Sequence, residues 1–306
     1  MTRVYGPCSH LCSFLACAVV ETRQFPLLSK CLLLQALCAE SSSSSSSGGG
    51  CSFVELTDFP GGAEAFEACA KFCYGVAITV GAHNVAALRC AAGRLGMTEA
   101  AERGSNLAAK LDAFLASCLL RRWKDALAVL RSTTRHAAAC EELGVTSRCV
   151  DAVAALVAAT DTSGSSAASA SAAAPAAGSS AATWWARDVS DLDVDLFWRV
   201  VVAVKAAGTV RATAVGDALK AYARRWLPSV SHNVHLAAEQ TDDGAGNAEL
   251  VTINHRLLVE KIASLLPAER NVVSCSFLLK LLKAANILGA SPATKAELTR
   301  RAALQL

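Results

Sequence analysis

Along most of the chain, apolar positions recur at the spacing of one helix face. Phe66, Cys69, Ala70 and Cys73 stand at i, i+3, i+4 and i+7, as do Leu88, Ala91, Ala92 and Leu95, and Trp123, Ala126, Leu127 and Leu130. The theme continues through Leu107, Leu111, Phe114, Leu115 and Cys118, and through Cys149, Val153, Leu156 and Val157. It ends with Phe197, Val200, Val201 and Val204, then Leu278, Leu281, Leu282 and Ala285. These stripes predict amphipathic helices. Two short β-branched runs, FVEL at 53–56 and VAITV at 76–80, predict strands. With the turn signal Asp58-Phe59-Pro60-Gly61-Gly62 between them, the middle of the chain reads strand, turn, helix, short strand, helix, helix.

Three polar stretches interrupt this pattern. Residues 41–50 are SSSSSSSGGG, 160–183 are Ser, Ala and Gly with one Pro, and 229–246 are polar around Asp242-Asp243-Gly244. Such compositions bury too little apolar surface to offset the entropy of ordering, so they are expected to be disordered linkers. They separate an N-terminal piece, a middle block at 51–159 and a C-terminal block at 184–306.

Composition narrows the class. With 306 residues, 53% of them hydrophobic and 18% charged, the chain has room for about two globular, helix-rich domains. A net charge of +3 with a pI near 8.2 excludes a nucleic-acid binder of the usual strongly basic kind. Arg224-Arg225 and Arg300-Arg301 read as solvated helix edges. The thirteen cysteines are odd in number and contain no CxxC, which argues against a disulfide framework or zinc ribbon and for free thiols in a reducing compartment. Arg3 followed by the apolar run 11–20 outlines a signal peptide, but that run is too short to cross a bilayer.

Chemistry was sought at each cluster of reactive side chains. Cys69 and Cys73 lie on the apolar stripe with Phe66, which predicts packing rather than a metal clip or an activated thiol. His83, between a strand and a helix, reads as a capping or surface residue. His232 and His235 lack partner ligands in their own stretch. Asp188, Asp191, Asp193 and Asp195 precede the Phe197 stripe, where a helix start favours acidic residues. No phosphate loop, dinucleotide fingerprint, nucleophile elbow or zinc-protease helix occurs. No catalytic residue, metal site or cofactor is therefore assigned.

The wording of the chain resembles a known family. VELTDFPGGAEAFEACAKFCYGVAITVGAHNVAALRCAAGRLGMTE, at 54–99, resembles the second half of a BTB/POZ domain, with Phe72-Cys73-Tyr74-Gly75 closing the helix and Asn84-Val85 opening the next. The plant-specific Non-Phototropic Hypocotyl-three family is closer still. Its phrasing is matched by Phe25-Pro26-Leu27-Leu28-Ser29-Lys30, Trp123-Lys124-Asp125-Ala126, Glu142-Leu143-Gly144 and Ser147-Arg148-Cys149. The paired Trp184-Trp185 opens that family's own domain, which continues through Leu265-Leu266-Pro267, Phe277-Leu278-Leu279, Ala290-Ser291-Pro292 and Leu304-Gln305-Leu306.

The resemblance implies a mostly α fold: a partial BTB/POZ α+β module at 25–118, a helical extension at 119–159, a linker at 160–183, and the start of the family's all-α domain at 184–306 with a flexible loop at 229–249. Residues 1–24 resemble nothing in the family and occupy the place of its first strand hairpin. The chain is thus expected to be clipped at both ends, stopping before the family's coiled-coil tail. Without that hairpin, 53–56 and 76–80 are expected to have few strand partners and a homodimer is not expected.

By function, the resemblance implies a non-catalytic adaptor in the cullin-three RING class of ubiquitin ligases, with docking weakened or lost through the missing first strands. Its expected setting is intracellular, in the cytoplasm or at the plasma-membrane periphery, in phototropism or auxin-type signalling. A phototropin-type receptor kinase and other family members are the further partners implied. Docking in BTB domains uses the end of the helix that carries Phe72, Tyr74 and Gly75, together with the helix near 107–118. One rival is a signalling scaffold that binds photoreceptor or transport partners without a ligase, distinguished by reconstituted ubiquitination. The other is a thiol enzyme, which replacement of Cys69 and Cys73 would test.

Overall fold

The computed structural model describes residues 2–5, 11–15, 18–22, 25–44, 53–98, 106–163, 184–227 and 245–305. The chain forms two compact units, Met1–Ala152 and Val153–Leu306. The described residues are mostly helical.

In the first unit, three short strands precede the first helix and a fourth follows the second helix. Strands β2 (Leu11–Leu15) and β3 (Ala18–Thr22) pair antiparallel, with Leu11 opposite Thr22, and β1 (Thr2–Tyr5) pairs antiparallel with β4 (Phe53–Leu56), with Thr2 opposite Leu56. This corrects two expectations. A strand hairpin stands within residues 1–24, and Phe53–Leu56 has a full-length partner; the runs LCSFL and AVVET supply the β-branched and aromatic content that strands favour.

The second predicted strand, at 76–80, does not form. Among the described residues no strand pairs with it, the two sheets being β1 with β4 and β2 with β3. The segment is held instead by Asn84, whose side-chain oxygen accepts from the Gly81 N–H at 2.8 Å while its amide donates to the Thr79 carbonyl at 3.0 Å.

Helices α1 (Phe25–Lys30), α2 (Leu32–Ser44), α3 (Gly62–Cys73), α4 (Val85–Arg94) and α5 (Leu107–Phe114) follow. Helix α2 runs four residues into the serine tract that composition assigned to a linker; the rest of that tract lies outside the described residues. A π-helical turn, Leu115–Leu119, extends α5, after which come α6 (Trp123–Thr133), a 3-10 turn at Thr134–His136, and α7 (Ala137–Glu142). The core takes Leu27, Cys31 and Leu34 from the first two helices, Phe66, Cys69 and Cys73 from α3, and Leu88, Ala91 and Leu95 from the α4 stripe. Phe59 meets Phe66 edge-on at 5.7 Å, which anchors the turn before α3 to that core. Gly61, at φ +74, caps α3; a Cβ there would lie 2.6 Å from the Ala65 Cβ and 3.0 Å from that of Ala87, so the close approach of α3 to α4 demands glycine.

Helix α8 (Val145–Ser163) carries Cys149 and Val150 on its buried side before the unit boundary, and Val153 and Val157 after it. The second unit then comprises α9 (Trp184–Val189), α10 (Val194–Ala207), α11 (Ala212–Trp226), α12 (Ala245–Leu265), α13 (Cys275–Ile287) and α14 (Pro292–Ala303). Phe197, Val200, Val201 and Val204 are all buried, as their spacing predicts. Phe197 stacks on Tyr222 at 3.7 Å, and the Tyr222 hydroxyl donates to the Leu192 carbonyl at 3.1 Å. The Trp226 indole N–H donates to the Ser190 carbonyl at 2.8 Å, tying α11 to the end of α9. In the motif Ala290-Ser291-Pro292, Ser291 caps α14, its oxygen accepting from the Thr294 N–H at 3.3 Å, with Pro292 in the first turn.

Candidate partner-docking site

The end of α3 is shaped by backbone chemistry. Gly75 adopts φ +72, its N–H donates to the Phe72 carbonyl at 3.0 Å, and the Val76 N–H donates to the Lys71 carbonyl at 2.9 Å. This is the paired 5→2 and 6→1 closure of a Schellman cap, in which a left-handed residue lets the chain turn off the helix. Glycine takes that conformation without the cost a Cβ imposes. The turn leaves Phe72 and Tyr74 half-buried and Val76 52% exposed at one end of the helix.

Two lysines from other helices converge on the Phe72 ring. The Lys30 ammonium, at the end of α1, lies 5.3 Å from the ring centroid, and that of Lys110, on α5, lies 5.0 Å away. Both are within cation–π range of the negative ring face. Their positions are set from beneath by Asn106, which is fully buried. Its side-chain oxygen accepts from the Leu107 N–H at 2.8 Å and so caps α5, while its amide donates to the Thr98 carbonyl at 2.8 Å and the Lys30 carbonyl at 3.3 Å. One side chain thereby ties the end of α1 to the start of α5.

A second polar node braces the outer face of α5. Asp112 accepts from Arg89 Nε of α4 at 2.9 Å and from Arg148 Nη1 of α8 at 2.7 Å, and its backbone carbonyl accepts from Arg148 Nη2 at 3.3 Å. The structure thus brings the Phe72 to Gly75 segment beside the helix at 107–114. Lys30, Asn106 and Lys110 were missed in the sequence. Lys30 does close the motif FPLLSK, but nothing local to either lysine announces an aromatic ring more than thirty residues away.

The remaining reactive residues sit as follows. Cys69 and Cys73 are buried on the core side of α3, and burial pushes the Cys69 thiol up to about 12, with Cys73 adding to the rise. Such a thiol stays protonated and unreactive near neutral pH. Cys73 has Cys31 as a neighbour, with sulfurs 3.9 Å apart. His83 is exposed. Asp193 caps α10, accepting from the Leu196 N–H at 2.9 Å; Asp191 pairs with Arg225 at 2.8 Å and Asp195 pairs with Lys261. His232 and His235 lie outside the described residues. Among the described residues no group of three His, Cys, Asp or Glu side chains could hold a metal ion, and no helix is long and apolar enough to cross a membrane.

Comparison with known proteins places this architecture. Residues 183–306 match the family described as the NPH3 family. BTB/POZ domain-containing protein At1g67900 of Arabidopsis thaliana is 46% identical over 290 residues, which cover 92% of this chain and 44% of that protein. Phototropic-responsive NPH3 family protein NPY2 of the same plant is 39% identical over 294 residues, covering 92% of this chain and 43% of that one. BTB/POZ domain-containing protein SR1IP1, also from Arabidopsis thaliana, is 35% identical over 295 residues, covering 94% and 46% respectively. The chain spans 44% to 49% of the length of the first three relatives it matches. No solved structure matches it.

Proposed function

Because the chain carries an NPH3 family domain at residues 183–306 and is related over 92% of its length to plant BTB/POZ proteins, we propose that it is a non-catalytic adaptor for a cullin-RING ubiquitin ligase. In this reading residues 25–118, within the first unit, form a partial BTB-type module that docks on a cullin-three scaffold. The NPH3 domain presents the protein to be ubiquitinated. The setting is phototropism or auxin-type signalling in the cytoplasm or at the inner face of the plasma membrane, with a phototropin-type receptor kinase as the upstream partner.

The observation that carries the reading is the meeting of the α3 end with α5. The Lys110 ammonium lies 5.0 Å from the centroid of the Phe72 ring, at the helix end that continues into Tyr74 and Gly75, which supports reading the two segments as one docking surface. That surface has the make-up of a hot spot: aromatic side chains partly sunk among their neighbours, rimmed by long cationic ones. The strands β1 and β4 support the module assignment, since they give the helices a sheet.

The test is a binding titration of the full chain against the cullin-three N-terminal region. Saturable binding is expected, weakened about 30-fold or more by Phe72→Ala or Tyr74→Ala, the loss typical of a hot-spot truncation. Circular dichroism of each variant must match the parent. Absence of saturable binding by the parent chain would refute the adaptor reading, and unchanged affinity in both variants would refute the site.

A further inference from the structure

We infer that Cys90 and Cys140 form an oxidation site, a thiol pair that hydrogen peroxide converts to a disulfide joining α4 to α7. The two sulfurs are 3.4 Å apart although the residues are fifty positions apart in sequence. That is sulfur-to-sulfur contact, about 1.4 Å longer than a disulfide bond. Both residues lie within helices that already pack together, and both are buried, at 2% and 0% exposure. Among the described residues no third ligand completes a metal site around them. The pair is independent of the docking surface and of the adaptor reading.

The neighbourhood distinguishes the two sulfurs. Either thiol can donate to the other; the hydrogen bond with Cys140 and the positive charge of the Arg89 guanidinium hold the Cys90 thiol below its ordinary value, while the contact with Cys90 and burial drive that of Cys140 up. Cys90 is therefore the nucleophile and Cys140 the resolving thiol. The Cys90 thiolate attacks one oxygen of hydrogen peroxide, the O–O bond breaks, and hydroxide leaves, giving the Cys90 sulfenic acid. The Cys140 sulfur then attacks the Cys90 sulfur, the S–O bond breaks, and the thiol proton leaves with that oxygen as water. In sum two thiols and one peroxide give one disulfide and two waters.

Burial supplies selectivity. Hydrogen peroxide, scarcely larger than water, is the oxidant expected to reach the buried pair, whereas iodoacetamide is expected to modify the exposed Cys118 before either of them. The other close pair, Cys31 and Cys73, is separated by 3.9 Å and its Cys31 thiol is driven strongly up by its neighbour and by burial, so it is expected to oxidise later.

The test uses the reduced full chain, exposed to graded hydrogen peroxide, quenched in acid, unfolded, alkylated and mapped by mass spectrometry. The expected result is a Cys90–Cys140 linked peptide, lighter than its two thiol halves by two hydrogens, that accumulates at peroxide doses leaving Cys31 and Cys73 alkylatable. In Cys140→Ala, dimedone should label Cys90 as the trapped sulfenic acid. If the folding of that variant is impaired, the mapping of the parent chain still decides. Recovery of Cys90 and Cys140 as alkylated thiols after Cys118 is fully oxidised would overturn the inference, as would a linkage of Cys140 to Cys149 instead.

Discussion

Asp112→Ala should destabilise the first unit by far more than an ordinary surface change. The carboxylate bridges Arg89 and Arg148 with bonds of 2.9 and 2.7 Å, and the side-chain exposures are 31% for Asp112, 15% for Arg89 and 37% for Arg148. A charge-assisted hydrogen bond contributes about 1.5–3 kcal/mol when shielded, and the Arg89 bond is the shielded one. The Arg148 bond, more than a third exposed, is discounted for solvent screening to roughly 0.5–1 kcal/mol. Removing the carboxylate also leaves two guanidinium groups near each other without their shared counter-charge. The sum is about 2–4 kcal/mol, which for a unit of this size lowers Tm by roughly 5–15 °C. Calorimetry gives the Tm, and hydrogen exchange identifies the affected transition as the one that exposes the α5 amides. A double-mutant cycle with Arg89→Gln should return a coupling of about 1.5 kcal/mol. A loss below about 0.5 kcal/mol, the level of a neutral surface substitution, or a coupling of zero would refute the bridge as a structural brace.

Two further outcomes test the second unit. Tyr222→Phe keeps the stack on Phe197 but deletes the donor to the buried Leu192 carbonyl, so the urea midpoint should fall by the equivalent of about 1 kcal/mol; an unchanged midpoint would show that water replaces the hydroxyl without cost. Glu297 accepts from Arg300 and Arg301, which hold its carboxyl at about 2, below its ordinary 4.5. A depressed folded value means that the stabilisation is fully present above the unfolded value and is lost as pH falls through about 2. The Tm difference between the parent and Glu297→Gln should therefore be constant near neutrality and shrink between about pH 4.5 and 2, and a difference that persists at pH 2 would contradict the assignment.

How much of this was legible in the sequence depends on the range of the forces involved. Helix faces are local, and so the stripes through Phe66, Leu88 and Phe197 were readable from spacing, as was the Asp193 cap from its place before an apolar run. Strands need partners that periodicity does not name. FVEL found one in Thr2–Tyr5, whereas VAITV, with equally good β-branched content, found none and remained outside any sheet. The hairpin at 11–22 is hidden in the sequence because its apolar run reads equally well as a leader segment and its neighbours match no family phrase. The candidate site divides the same way. Phe72, Tyr74 and Gly75 were found from a motif, while Lys30 and Lys110 depend on long-range packing through Asn106, and the Cys90 to Cys140 approach depends on α4 meeting α7.

The same long-range packing bears on how the surface would meet a partner. A docking patch made of loops must be ordered at the moment of binding, at a cost of about 0.5–1.5 kcal/mol for each immobilised flexible side chain and more for backbone. Here the patch stands on helices whose relation is fixed in the core: Asn106 joins the end of α1 to the start of α5, and Asp112 joins α5 to α4 and α8. The Phe72 ring holds both ammonium groups nearby before any partner arrives, which lowers the rotamer entropy that remains to be lost. Tyr74 and Val76 are aimed by the Schellman cap, whose two backbone hydrogen bonds do not depend on a ligand. On the adaptor reading, affinity then comes from burying an already formed aromatic and cationic surface, and residues that never touch the partner, Asn106 and Gly75 among them, decide whether that surface exists.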